Sequence, residues 1–127
     1  MAIRSALTFA TVKKMGFALP GVEEGTAYGS PALKLRGQLL ACIPTNKAAE
    51  PNSLVVRVDF SQRDELLAAQ PDVYYLKPHY EDYACVLVRL KEIHPDALRD
   101  LLQMGWRFVD SKAPRKRTPK ARKRPKA

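Results

Sequence analysis

Apolar residues recur at helical spacing at Phe9, Val12, Gly16 and Leu19, which predicts a first helix over residues 8–18. Pro20-Gly21 ends it, because proline lacks the amide hydrogen that the helical ladder requires. The period then shortens to two. Leu33 and Leu35 alternate with Lys34 and Arg36 over residues 32–36, Gly37 supplies a tight turn, and residues 38–43 return as a hairpin partner. Residues 44–52 read as an exposed loop, and residues 53–59 alternate again.

Ser61 is placed to cap a short helix with the sequence SQRDELLAAQ, with Asp64 and Glu65 suited to its first turn, and Pro71-Asp72 stops it. Residues 73–76 and 84–90 read as two further strands joined by KPHYEDY. The last helix has the clearest pattern. Pro95 sits near its first turn, and Leu98, Leu101, Leu102, Gly105, Trp106 and Val109 fall on one stripe, which places Trp106 in the core. The order is helix, about four strands, helix, two strands, helix. Hairpin-length connections make this an α+β fold of two layers, a mainly antiparallel sheet with three helices packed on it.

A chain of 127 residues has room for one such core. No apolar run approaches the roughly 18 residues of a membrane span. The first 17 residues have neither a signal-peptide core nor a cleavage site, which points to the cytoplasm. Cys42 and Cys85 lie within apolar stretches and read as buried thiols.

The formal charge of +9 changes this picture, because it is concentrated at one end. Residues 111–127 hold nine cations and no acid: Lys112, Arg115, Lys116, Arg117, Lys120, Arg122, Lys123, Arg124 and Lys126. That leaves 13 of the 22 basic residues to balance all 13 acidic ones, so residues 1–110 are net neutral. The sequence divides into a folded domain over 1–110 and a Lys/Arg/Pro-rich tail over 111–127. The tail has no apolar residue larger than alanine, so it is expected to be disordered.

Three segments together resemble the MmcQ/YjbR family of small bacterial proteins. They are LPGVEEGTAYGSPALKLRGQLLA at 19–41, YYLKPHYEDYACVLVRL at 74–90 and PDALRDLLQMGWRFV at 95–109. The resemblance covers nearly all of residues 8–110. It implies a compact two-layer α+β fold and a double-wing DNA-binding role. The NKAAEPN loop at 46–52 and the basic tail depart from the family's core pattern, so no tail function is carried over from it.

Nine cations on a flexible chain can neutralise phosphates and release counterions, which gives sequence-independent affinity. The alternatives are a solubility tail and attraction to ribosomal RNA or anionic lipid. A second basic surface follows from strand phase. If the aliphatic set faces the helices, Lys34, Arg36, Arg57 and Arg89 share the outer face of the sheet. Such residues also serve simply to cover a solvated face, pairing with Asp59 or Glu92.

Tyr74, Tyr75, Tyr80 and Tyr83 cluster around KPHYEDY with Lys77 and His79, where rings beside cations could stack unpaired bases or pack half-buried. Cys42, His79, Cys85 and His94 are too widely spaced to suggest a metal site. No phosphate loop, nucleophile elbow or HExxH motif occurs. The reading is therefore a non-enzymatic DNA-binding protein without a cofactor, monomeric, with DNA favoured over RNA. The tail supplies affinity and the domain supplies position. A small-ligand or protein-interaction module is the alternative.

Overall fold

A computed structural model describes residues 7–27, 29–45, 49–50 and 52–112. Helix α1 (Phe9–Phe17) leads into three antiparallel strands, β1 (Val22–Ala27), β2 (Ser30–Leu35) and β3 (Gln38–Cys42). Strand β4 (Ser53–Arg57), helix α2 (Phe60–Ala69), strand β5 (Tyr74–Tyr75) and a 3-10 turn (Pro78–Tyr80) follow. Strand β6 (Cys85–Arg89) and helix α3 (Pro95–Lys112) complete the fold. The six strands form one antiparallel sheet in the order β1-β2-β3-β4-β6-β5. This is the α+β arrangement that the periodicity predicts.

Strand β1 has no assigned range in the sequence pattern, because glutamate and glycine are poor strand formers. It is an edge strand held by its register with β2, with Glu23 opposite Lys34. The β2–β3 hairpin turns on Arg36 and Gly37, whose φ values of 48° and 81° are both left-handed, as a type I′ turn demands. Helix α2 starts earlier than expected. Its cap is Asp59, whose carboxylate accepts from the Gln62 amide at 2.8 Å, and the first turn carries no acid. Ser61 therefore lies inside the helix. An aspartate at this position satisfies a helix-end amide that would otherwise lack a partner.

The main core lies between the sheet and the helices. Leu33, Ala41, Val56 and Val86 form one cross-strand row on this face, buried with Val12 of α1 and Leu98, Leu101, Leu102 and Val109 of α3. Gly105 permits the closest approach. A Cβ built there would lie 2.7 Å from the Arg57 carbonyl oxygen and 3.1 Å from a Val56 methyl. Trp106 is half-buried beside this contact rather than enclosed. Its indole Nε1 donates to the Pro20 carbonyl at 2.8 Å, so the ring anchors the turn after α1 at the core's margin.

The opposite face of the sheet is also apolar, contrary to the polar face that strand alternation predicts. Ala32, Cys42, Val55, Leu87 and Tyr75 stand opposite one another across five strands and are all buried, with Tyr80 and Cys85 beside them. Burial on both faces explains why LVV at 54–56 and CVLV at 85–88 are continuous apolar runs.

A polar clamp closes one end of this second layer. Tyr75 Oη shares a 2.5 Å hydrogen bond with Ser53 Oγ and accepts from the Glu50 amide at 2.8 Å. Arg89 stacks on the Tyr75 ring at 4.4 Å and grips Glu50 with two 2.8 Å bonds, from Nε to Oε1 and from Nη2 to Oε2. The hydrogen bond from Arg89, reinforced by its charge and that of Lys77, holds the Glu50 carboxyl below its ordinary range, and Glu50 in turn raises Arg89. The end of the stretch read as an exposed loop is therefore tied to the sheet. Among the described residues, no helix is long and apolar enough to cross a membrane.

The glycine seat and the clamp can each be tested. Gly105→Ala should destabilise the protein by about 1–2 kcal/mol in denaturant unfolding, because overpacking against backbone outweighs the roughly 1 kcal/mol gain in helix propensity. An unchanged or raised midpoint would show that α3 does not lie this close to β4. Glu50 contributes stability that is fully present above its ordinary value of 4.5 and lost as pH falls through its lower folded value. The stability deficit of Glu50→Gln should therefore be largest at neutral pH and shrink on the acid side of 4.5. A deficit that does not vary with pH would contradict the clamp.

Candidate functional site

Beyond the second apolar layer, the outer face opens into a concavity of about 710 Å³. Its floor is Leu39, Cys42, Val55 and Cys85, from β3, β4 and β6. Gln38, Ile43, Pro44 and Thr45 bound one side; His79, Tyr80, Tyr83 and Ala84 bound the other, and Arg57 completes the lining. The floor is uncharged at neutral pH. Burial pushes both thiols up to about 11, with Cys85 adding to the effect on Cys42, while Arg63 and Arg57 partly offset it at Cys85. Both cysteines are free.

Arg57 links this concavity to the end of α3. Its Nε donates to the Ala84 carbonyl at 3.2 Å, and its guanidinium carbon lies 5.4 Å from the Phe108 ring centroid. Lys112 Nζ lies 5.7 Å from the same ring. Two cations thus share one aromatic ring where α3 ends, and the basic segment begins there.

The tyrosines are distributed by burial. Tyr74 packs with the helix-side core, and its hydroxyl is pushed up by burial and by Asp100. Tyr75 and Tyr80 are buried on the outer side. Tyr83 is 58% exposed. His79 meets Tyr80 edge-on with ring centroids 4.9 Å apart, and its ring centroid lies 6.4 Å from that of Tyr83. Of the aromatic cluster expected to stack bases, Tyr83 and His79 are the members left accessible at the concavity's rim.

The predicted basic face is assembled only in part. Lys34, Arg57 and Arg89 stand on the outer phase of their strands. Arg36 does not: its left-handed turn conformation turns it toward α3, where Nη2 donates to Asp110 Oδ1 at 2.8 Å and to the Asp110 carbonyl at 3.1 Å. Arg89 is committed to Glu50 and also donates to the Pro71 and Asp72 carbonyls, each at 3.1 Å. Its acidic partner is thus neither Asp59 nor Glu92, the two that the sequence offered. Lys77 Nζ lies 5.8 Å from the Tyr75 ring. Helix α3 runs to Lys112, two residues past the expected boundary at 110. Arg115, Lys116, Arg117, Lys120, Arg122, Lys123, Arg124 and Lys126 lie outside the described residues. Among the described residues, no cluster of three or more histidine, cysteine or acidic side chains could hold a metal.

Arg63 carries no signal in the sequence that marks it out. It is 8% exposed, stacks on Phe60 at 4.7 Å, and donates Nη1 to the carbonyls of Glu81 and Tyr83 at 3.2 and 2.9 Å. It fixes the loop that presents Tyr83. An arginine inside a short, weakly amphipathic helix has no pattern that separates it from a solvated one.

Comparison with known proteins bears on the fold and the family. The chain is 39% identical over 66 residues to uncharacterized proteins of Mycobacterium bovis and Mycobacterium tuberculosis, over 49% of this chain and 51% of theirs. The chain therefore spans about half the length of the curated relatives it matches. The crystal structure of Deinococcus radiodurans protein DR2400, with the family-model domain DUF419, superposes with a TM-score of 0.70. That match has 21% identity and covers 87% of this chain and 84% of the other, which establishes the shared fold. The YjbR family model matches residues 17–108, from the end of α1 to the last turns of α3, and the chain belongs to the YjbR family.

Proposed function

We propose that this YjbR-family chain is a non-enzymatic nucleic-acid-binding protein of the cytoplasm, with DNA its preferred partner. The basic segment after α3 supplies affinity, and the domain orients the bound strand. The observation that carries this reading is the separation of charge. Residues 1–110 are net neutral, and the eight cations from Arg115 to Lys126 stand without an acid among them. A neutral domain does not repel a polyanion, and the basic segment releases counterions on binding.

The point of attachment adds direction. The segment leaves from Lys112, and the cations of the adjoining domain surface include Arg57 across the Phe108 ring. A backbone bound by the segment would pass Arg57 first. Lys34 and Lys77 add charge elsewhere on the outer side, whereas Arg36 and Arg89 serve the fold. The concavity supports a second reading, in which the domain binds a small ligand and the segment only adds charge.

Removing residues 113–127 should leave the melting temperature nearly unchanged and collapse duplex affinity. The slope of log affinity against log salt should flatten by roughly 0.9 for each phosphate that is no longer neutralised. Unaltered duplex binding by the shortened chain would overturn the role of the segment. Lys34→Gln should weaken duplex binding slightly and equally across DNA sequences, because phosphate contacts position without specifying bases. Fluorescence anisotropy on unrelated duplexes checks this, and a loss confined to one sequence would count against a backbone contact.

A further inference from the structure

We propose that the outer-face concavity is a pocket for one nucleotide unit, its base held over the apolar floor against Tyr83 and its phosphate held by Arg57. The pocket deepens the nucleic-acid reading and rests on it; it shares Arg57 with the surface beside Lys112, and its apolar floor is formed by residues of β3, β4 and β6.

Size is the first observation. About 710 Å³ falls within the range of small-ligand sites. Composition is the second. The floor is flat sheet surface made by Cys42, Val55 and Cys85, which present no charge to a ring laid across them. No acid occurs among the described residues that line the concavity, and its one arginine is Arg57. A lone cation beside an apolar floor selects a ligand with one apolar face and one anionic group.

Placement is the third. Arg57 is held by its Nε bond to Ala84 and by Phe108, and among the described residues its two terminal nitrogens have no hydrogen-bond partner, a donor pair suited to phosphate. Tyr83 lines the same concavity and is 58% exposed, so its ring is accessible to a ligand, and Arg63 fixes the backbone on which it stands. His79 adds a second ring at the same rim. A flat ring carrying an anion is what these groups together accommodate, and a nucleotide meets that description either free or within a single strand.

Titration of the full chain with deoxyadenosine monophosphate, followed by amide chemical shifts, should move the signals of Arg57, His79 and Tyr83. Deoxyadenosine, which lacks the phosphate, should bind about tenfold more weakly or worse, the loss expected for one charge-assisted contact. In Arg57→Gln the difference between nucleotide and nucleoside should disappear. Tyr83→Ala should weaken both ligands by about fivefold or more at unchanged melting temperature, the effect of removing a stacking surface. This exposed position keeps the test decisive if Arg57→Gln folds poorly.

A short single-stranded oligonucleotide that displaces deoxyadenosine monophosphate would assign the pocket to a strand-borne nucleotide. Binding without displacement would assign it to the free one. The pocket is ruled out if deoxyadenosine monophosphate leaves the Tyr83 and His79 signals unmoved. It is also ruled out if both variants bind as the parent does. Either result would leave the duplex affinity of the basic segment standing as a separate finding.

Discussion

Helix α3 can lie against strand β4 only because position 105 has no side chain. A Cβ there would meet the Arg57 carbonyl, a backbone atom that cannot rotate aside. This one close approach sets the height of the helix over the sheet and the phase of its later residues. Val109 then falls into the core, Asp110 reaches Arg36 in the β2–β3 turn, and Phe108 lies under the Arg57 guanidinium. Lys112, the last described residue of α3, lies beside that ring. The glycine that seats the helix therefore also decides where the basic segment leaves the domain.

The two faces of the sheet divide the work differently from a simple inside and outside. One carries the helices. The other carries its own apolar row, closed at one end by the Tyr75, Ser53, Glu50 and Arg89 clamp and open near Arg57 as the concavity. Arg89 holds the covering of the outer side with two bonds to Glu50 and two to backbone carbonyls. Arg36 is engaged likewise with Asp110. Among the described residues, Arg57, Lys77 and Lys112 lie instead against aromatic rings, and Lys34 stands on the outer phase of β2.

Much of the fold is legible in the sequence because its signals are local. The stripe from Leu98 to Val109 needs no knowledge of the partner surface to read as a helix, and the Leu33/Leu35 alternation beside Gly37 reads as half a hairpin. Strand β1 is less legible, since Glu23, Glu24 and Gly25 become a strand only by pairing with β2. The outer cation face is assembled only in part, for an instructive reason. Alternation shows at the strand ends, at Arg57 and Arg89, while the interiors LVV and CVLV do not alternate. Those uninterrupted runs are the available signal for a second buried layer. No pattern foretells Arg36 turning to Asp110, which depends on the turn's handedness and on a helix 74 residues away. Tyr83 and Tyr75 look alike in sequence, and only the register and the Arg63 bonds separate an exposed ring from a buried one.

The proposed nucleic-acid surface lies at one end of the molecule, where α3, Arg57 and the mouth of the concavity meet. The most direct test is the amide-shift footprint of a short DNA duplex on the isotope-labelled full chain. Binding at this end should perturb the residues after Lys112 together with Arg57, Phe108 and the loop at 79–83. The clamp around Glu50 and Arg89 and the α1 surface should stay quiet. A footprint confined to α1 and the Glu50–Arg89 clamp, or no footprint at low salt, would contradict a nucleic-acid role for this surface.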